Sequence, residues 1–426
     1  MSPVRRLFGD PTSGSSPHAS LRVALEETFA HFRERRPHPA VAALRAVVVL
    51  DDGTGDPWTV RIDDGRFSLV AGRARDAALT VESDPLTLAG MVRGKRSGIE
   101  AFLGGRLRVR GNLALALKLD VIFERRERRS NRARPHRVLA AGVDTFYLEA
   151  GSGPPVVLLH GLAATNASML PTLAALSARH RVIAPDLPGF GDSEKPRAAY
   201  DPAFFATWLL AFLDAVGAEG AHLVGNSMGG RIALEAALLS PQRVGRLGLF
   251  SPSLAFRKRR QAVPLVRFLP PDLGIVPVPV LRVQIMKGLK LLFARPERLH
   301  DGWYEAAVDE FMRVFRTREG RFALYASARQ IYLEAPFGPR GFWPRVEALR
   351  VPSLFIWGDR DLLVPAGFAR HVEDSVPGAR SVMLPECGHV PQFEHPERAN
   401  ALVAEFLAGA ADVAPRHGAP TLDRSG

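Results

Sequence analysis

The chain has 426 residues, 46% of them hydrophobic and 23% charged, so it can bury sizeable cores and is neither disordered nor fibrous. A single cysteine, Cys387, excludes an intramolecular disulfide framework and any cysteine-rich zinc or iron–sulfur site. The net charge of +12 raises polyanion binding, but only six of the 56 cations are lysines and the arginines are spread along the whole chain; without zinc-finger spacing or a recognition helix, nucleic acid is not an expected partner.

No run of 18 apolar residues exists, so no spanning helix is expected. The start, Met1–Asp10, lacks the apolar core of a signal peptide, and a cytoplasmic protein is expected. Residues 1–19 and 413–426 are rich in Pro, Gly and Ser and read as disordered ends. The length allows two or three domains, or one large α/β unit with an appendage.

In chain order, Leu21, Leu25, Phe29 and Phe32 fall at helical spacing. Strands are expected at Ala46–Leu50, Trp58–Ile62, Phe67–Leu69, Ala77–Val81 and Leu107–Val109, with Asp63-Asp64-Gly65 as a hairpin signal. A helix from Asp84 to Arg93 and the apolar segment Leu113–Phe123 complete a smaller N-terminal α+β domain, one sheet with helices on one face. Then comes Glu124–Arg137, a highly charged run closed by Pro135. Residues 126–137 read as an Arg-rich linker, with a domain boundary near 135. The same cations could instead hold an acidic lipid surface, where each contributes about 1 kcal/mol.

The order of these front elements resembles the sterol-carrier-protein lipid-binding fold. Trp58-Thr59-Val60-Arg61-Ile62 with Asp64-Gly65, Ala78-Leu79-Thr80-Val81, and Ala101–Asn112 carry the resemblance over residues 20–125. It implies a lipid ligand in an apolar tunnel and no chemistry of the domain's own. The alternative reading of these residues is a small α+β domain used for packing or dimer contact.

Downstream, short apolar strands alternate with helical segments, as an open, mostly parallel sheet requires. Pro155–Leu159 ends at His160-Gly161, and Arg181–Asp186 opens into Leu187-Pro188-Gly189-Phe190-Gly191-Asp192-Ser193. After a helix from Phe204 to Val216, the strand His222-Leu223-Val224 runs into Gly225-Asn226-Ser227-Met228-Gly229-Gly230 and at once into a helix. Strand, G-x-S-x-G, helix is a nucleophile elbow: the tight turn strains the serine and lifts its hydroxyl above the sheet, at a helix N-terminus. The inert alternative is a glycine-rich connector.

A serine needs a base, and the base needs an orienting acid. The strand Ser353–Trp357 ends in Gly358-Asp359-Arg360-Asp361, and Ser381–Leu384 leads through Pro385-Glu386-Cys387-Gly388 to His389. The serine, the acids and the histidine all follow strand C-terminal ends, where open α/β sheets place their sites.

With these motifs in this order, residues 138–412 resemble an α/β-hydrolase. The resemblance implies Ser227 as nucleophile, His389 as general base, Asp361 rather than Asp359 as the acid, and the backbone N–H groups of Leu162 and Met228 as oxyanion hole. It also implies that residues 252–345 form a helical cap, where Leu281, Ile285, Leu289 and Leu292 fall at helical spacing beside Arg282, Lys287 and Lys290; such a helix could also touch a membrane. His160 reads as a structural strand-end residue, Cys387 as packing, and Asp186 and Asp192 as loop formers. No cluster has metal-ligand spacing, so neither metal nor cofactor is expected.

The expected activity is hydrolysis of carboxylic esters, of apolar or lipid-like substrates, through an acyl-enzyme on Ser227. A second reading is a carbon–carbon hydrolase of ring-fission products, which the Asp186–Gly191 and Gly225–Gly230 wording also resembles. Against it, Leu162-Ala163-Ala164-Thr165 replaces those enzymes' glycine-rich, serine-containing loop, and Val390 stands where they carry Trp. Dehalogenase or epoxide-hydrolase chemistry needs an Asp nucleophile. A third reading is an inert lipid-binding or transport protein. The residues set neither the substrate nor an oligomeric state.

Overall fold

The computed structural model describes residues 21–28, 44–64, 66–113, 115–117, 133–256, 270, 272, 279–339, 341–376 and 378–409. The expected frayed ends, Phe29 and Phe32, the Arg-rich run up to residue 132 and residues 257–269, 271 and 273–278 of the expected cap lie outside these residues. The chain divides into two compact units, Met1–Arg134 with His300–Asp309, and Pro135–Leu299 with Glu310–Gly426. Among the described residues no helix is long and apolar enough to cross a membrane.

In the first unit, β1 (Arg45–Asp51), β2 (Trp58–Asp63), β3 (Arg66–Ala71), β4 (Leu79–Ser83) and β5 (Leu107–Gly111) form a sheet in the order β3-β2-β1-β4-β5. β1 runs parallel to β4, and the remaining pairs are antiparallel. β2 alternates buried Val60 and Ile62 with exposed Arg61, the period-2 pattern of a half-covered sheet. Asp64 turns the β2–β3 hairpin at φ 46°, a left-handed conformation that Asp tolerates.

Two of the described helices cover one face. Asp84 caps Pro85–Val92 by accepting the Thr87 N–H at 2.8 Å, and Ser97 caps Gly98–Leu103 through Glu100 N–H. Each such cap contributes about 1 kcal/mol. Leu50, Val81 and Val109 of the strands face Leu88, Val92 and Phe102 of the helices around an apolar space of about 30 Å³. That volume holds roughly two water-sized spheres, so an acyl chain would enter only if the helices moved apart. His300–Asp309 belongs to this unit through a Phe102–Trp303 ring stack at 4.8 Å and an Arg110–Glu305 ion pair at 2.7 Å.

The second unit holds β6 (Arg134–Ala140), β7 (Val143–Ala150), β8 (Pro155–Leu159), β9 (Arg181–Pro185), β10 (His222–Asn226), β11 (Leu247–Phe250), β12 (Ser353–Gly358) and β13 (Arg380–Leu384). Their order is β13-β12-β11-β10-β8-β9-β7-β6. From β9 to β13 the strands are parallel, and β7 pairs antiparallel with β9. Arg134–Arg137, read from sequence as the end of a linker, instead open edge strand β6. The residues are charged because an edge strand keeps most of them in solvent; Arg137 donates to Asp144 of β7 at 2.7 Å. Ala141 and Gly142, both at positive φ, make the intervening tight turn.

β8 lies between β9 and β10. The chain order reverses there, and open α/β sheets place their sites at such a reversal, beyond the carboxyl ends of the strands. The sheet core is dry: Val156, Val157, Leu158 and Leu159 are all fully buried. The helix Pro202–Ala215 packs on it through Phe205, Leu209 and Phe212, spaced four and three residues apart along one stripe. Asp201 starts that helix by accepting the Phe204 N–H at 2.7 Å, with Pro202 in its first turn.

Candidate active site

β10 hands its chain directly to the helix Met228–Leu239 through Ser227, which sits at φ 53°, ψ −115°. A left-handed conformation at a non-glycine residue costs of the order of 1–3 kcal/mol, and the surrounding backbone holds it there. Ser227 N–H donates to Phe250 O at 3.0 Å, while Ser253 N–H donates to Ser227 O at 2.9 Å. The turn works only with bare neighbours. A Cβ at Gly225 would come within 2.5 Å of Gly229 C, and one at Gly229 within 2.1 Å of Leu159 O.

His389 reaches the same place from the loop after β13. Its backbone O accepts from the Asn226 side-chain amide at 3.1 Å, one residue before Ser227. The imidazole is buried, with Nδ1 2.8 Å from Asp361 Oδ2. The other oxygen of Asp361 accepts the N–H groups of Leu363 and Val364 at 2.8 and 2.9 Å. An acceptor-only carboxylate opposite Nδ1 places the proton on Nδ1 and leaves Nε2 with its lone pair. Asp359 does not meet the imidazole; it accepts the Cys387 N–H at 3.1 Å and so shapes the loop. No hydrogen bond joins Ser227 Oγ to the imidazole among the described residues.

The loop after β8 closes the other side. A Cβ at Gly161 would lie 3.4 Å from Ser227 Cβ, which sets Leu162 beside the serine. Among the described residues, the N–H groups of Leu162 and Met228 have no protein acceptor. Met228 is the first residue of its helix, so its N–H is one of the free donors at the positive end of the dipole.

Several neighbours of the site are structural. His160 is fully buried: Leu187 N–H donates to its Nε2 at 2.9 Å, and Nδ1 lies 2.8 Å from Gly161 O. This fixes a neutral ring protonated at Nδ1, and burial lowers its pKa from 6.5 to about 4. Asp186 is cradled by the N–H groups of Asn166 and Asp192 at 2.8 and 2.7 Å, yet burial pushes its carboxyl up to about 7. Cys387 is buried, and burial raises its thiol well above the usual range, which keeps it inert. Among the described residues no group of His, Cys, Asp or Glu could hold a metal ion.

His160 carries a pH prediction. Between pH 4 and 6.5 the unfolded chain protonates this ring while the folded chain resists, so the group's contribution to stability is lost as pH falls through that window, by about 3 kcal/mol in all. Asp186, with its raised pKa, acts in the opposite sense across the whole of that range. The effect is therefore read as a difference: in urea unfolding, the stability of the wild type relative to His160→Gln is expected to shrink by about 3 kcal/mol from pH 6.5 to 4. A difference that does not vary with pH would refute it.

Sequence reasoning missed a largely buried ionic network behind the helix Met228–Leu239. Arg345 is bidentate on Glu235 at 2.7 Å, Arg231 bonds Glu334, and the Arg231 guanidinium lies 4.2 Å from the centre of the Phe342 ring. The signal was present: Arg231 and Glu235 are charged residues on a helix whose surroundings are otherwise apolar.

The alpha/beta hydrolase fold model matches residues 154–396, and the chain belongs to that family. The SCP-2 sterol transfer family model matches residues 29–124, N-terminal to it. Over 280 residues the chain is 31% identical to 2-hydroxymuconate semialdehyde hydrolase of Pseudomonas sp. (strain CF600), covering 64% of this chain and 93% of that protein. It is 33% identical over 264 residues to the dihydrolipoyllysine-residue acetyltransferase component of the acetoin cleaving system of Pseudomonas putida, covering 62% of this chain and 65% of that one, just under two thirds of its length. Among solved structures, a serine hydrolase involved in carbazole degradation superposes with a TM-score of 0.55 at 26% identity, over 65% of this chain and 99% of its own. A membrane phospholipase A, described as a bacterial virulence factor, does so with a TM-score of 0.55 at 28% identity, over 66% and 87%.

Proposed function

We propose that this chain is a serine hydrolase that cleaves carboxylic esters of apolar or lipid-like acids. The observation that carries the reading is the buried Asp361–His389 hydrogen bond of 2.8 Å beside a serine held at a strained elbow. In this mechanism Ser227 Oγ attacks the ester carbonyl carbon while its proton passes to His389 Nε2. The carbonyl oxygen becomes an oxyanion held by the Leu162 and Met228 N–H groups, each lowering the barrier by about 2.7–4 kcal/mol. Collapse breaks the ester bond, and the departing alkoxide takes the proton from His389. Water then attacks the acyl-serine, again giving its proton to His389, and collapse returns that proton to Ser227 and releases the acid.

Apolar residues at the site, Leu162, Ala163 and Val390, support an apolar acyl group over a charged one. So do the likeness to a phospholipase A and the adjoining domain of the sterol transfer family, whose lipid ligand is part of this proposal. The second reading, carbon–carbon cleavage of a ring-fission product, is favoured by the likeness to 2-hydroxymuconate semialdehyde hydrolase.

The deciding experiment offers the full-length protein p-nitrophenyl esters of increasing chain length beside a vinylogous diketone. The expected result is a higher kcat/KM on the esters, rising from acetyl toward medium chains. Faster turnover of the diketone would replace the first reading by the second. No turnover of either, with no labelling by a fluorophosphonate, would favour an inert lipid binder.

A further inference from the structure

Glu394 takes no part in the reaction above, yet its side chain is buried at 6% exposure, and among the described residues no Lys or Arg side chain pairs with it. Burying a carboxylate is costly unless its oxygens are fully used. Here each oxygen accepts one backbone N–H: Oε2 that of Gly388 at 2.6 Å, and Oε1 that of Arg295 at 2.8 Å. Gly388 immediately precedes His389. Arg295 lies in the insertion between β11 and β12, so one side chain ties the histidine loop to the cap.

Two further observations place the same two backbones in direct contact. His389 N–H donates to Leu292 O at 2.7 Å. A Cβ at Gly388 would come within 2.3 Å of Leu292 O and 2.8 Å of Ala294 N, so no side chain separates them. Farther out, Arg295 and Arg298 both bond Glu386, at 2.8 and 2.9 Å. The backbone of His389 is thus held by Asn226 on its carbonyl and by Leu292 on its N–H.

We propose that Glu394 is a positioning residue: it fastens the His389 loop to the cap segment Leu292–Arg295, so that the imidazole is correctly placed only while that segment is seated. A charge-assisted pair of N–H bonds is the strong way to hold two main chains in register. A neutral amide can accept with only one of its two terminal atoms, which explains why the position holds an acid. The inference rests on the reading of His389 as the base of a serine hydrolase.

The test uses full-length wild type, Glu394→Gln and Glu394→Ala. Displacing a reacting group by about 1 Å costs on the order of 100-fold in rate. Accordingly kcat for a short p-nitrophenyl ester is expected to fall by about 10- to 100-fold in Glu394→Ala, with KM within about twofold, and by less in Glu394→Gln, which keeps one of the two bonds. The low-field proton resonance of the His389–Asp361 hydrogen bond is expected to shift in Glu394→Ala, a readout that needs no turnover. Wild-type kcat in both variants overturns the proposal, as does a loss that merely tracks the folded fraction measured by circular dichroism. If wild type itself neither turns over esters nor labels with fluorophosphonate, the hydrolase reading fails; the proton resonance then still decides whether Glu394 positions His389.

Discussion

Replacing Ser227 with alanine is expected to remove ester hydrolysis almost entirely, by on the order of 10⁴-fold or more in kcat, because members of such a constellation act as a unit. Fluorophosphonate labelling should vanish with it. Stability should change little, since the Ser227 hydroxyl has no hydrogen-bond partner among the described residues and alanine keeps the Cβ that the elbow already accommodates. The measurement is a pair: a p-nitrophenyl ester assay, and labelling followed by gel fluorescence, on wild type and variant of equal melting temperature. Labelling that persists at wild-type rate in Ser227→Ala would place the nucleophile elsewhere.

Gly229→Ala is expected to be the most damaging single methyl group that can be added to the turn around Ser227. The new Cβ would stand 2.1 Å from Leu159 O, 2.5 Å from Leu159 C and 2.7 Å from His160 O. All three atoms belong to the main chain of β8 and its exit, in the middle of the sheet, so nothing flexible can give way. The helix Met228–Leu239 must move off the strand, at a cost of about 3 kcal/mol or more, which lowers Tm by roughly 6–10 °C in a domain of this size. Gly288→Ala is the contrast. It lies in the helix Arg282–Lys290 with nothing within 4 Å of the added atom, and the gain in helix propensity should stabilise by about 0.5–1 kcal/mol. Calorimetry on the two variants reads the difference directly. A Gly229→Ala protein with wild-type Tm would contradict the packing at the elbow.

The architecture was legible in the sequence wherever a local rule dictates it. Buried parallel strands such as Pro155–Leu159 and Ser353–Trp357 read as uninterrupted apolar runs, since both faces are covered by helices. The elbow read clearly because close approach of helix and strand demands glycine at fixed places around Ser227. In the front unit, alternation at Val60, Arg61 and Ile62 and the Asp63-Asp64 turn marked the hairpin. Edge strand β6 escaped notice because solvent exposure and charge at the rim remove the apolar signal, so Arg134–Arg137 resembled a linker.

Side-chain partners separated by long stretches of chain were another matter. Composition and spacing offered both Asp359 and Asp361 as neighbours of His389; only the folded loop decides that Asp361 meets the imidazole while Asp359 holds Cys387 N–H. The roles of Glu394 and Asn226 were invisible for the same reason: their partners lie 6 to 163 positions away and are main-chain groups, which every residue carries alike. Propensity and periodicity act over a few residues and therefore fix elements and turns. The meeting of a carboxylate with two particular N–H groups depends on how finished elements pack, and that is settled only in three dimensions.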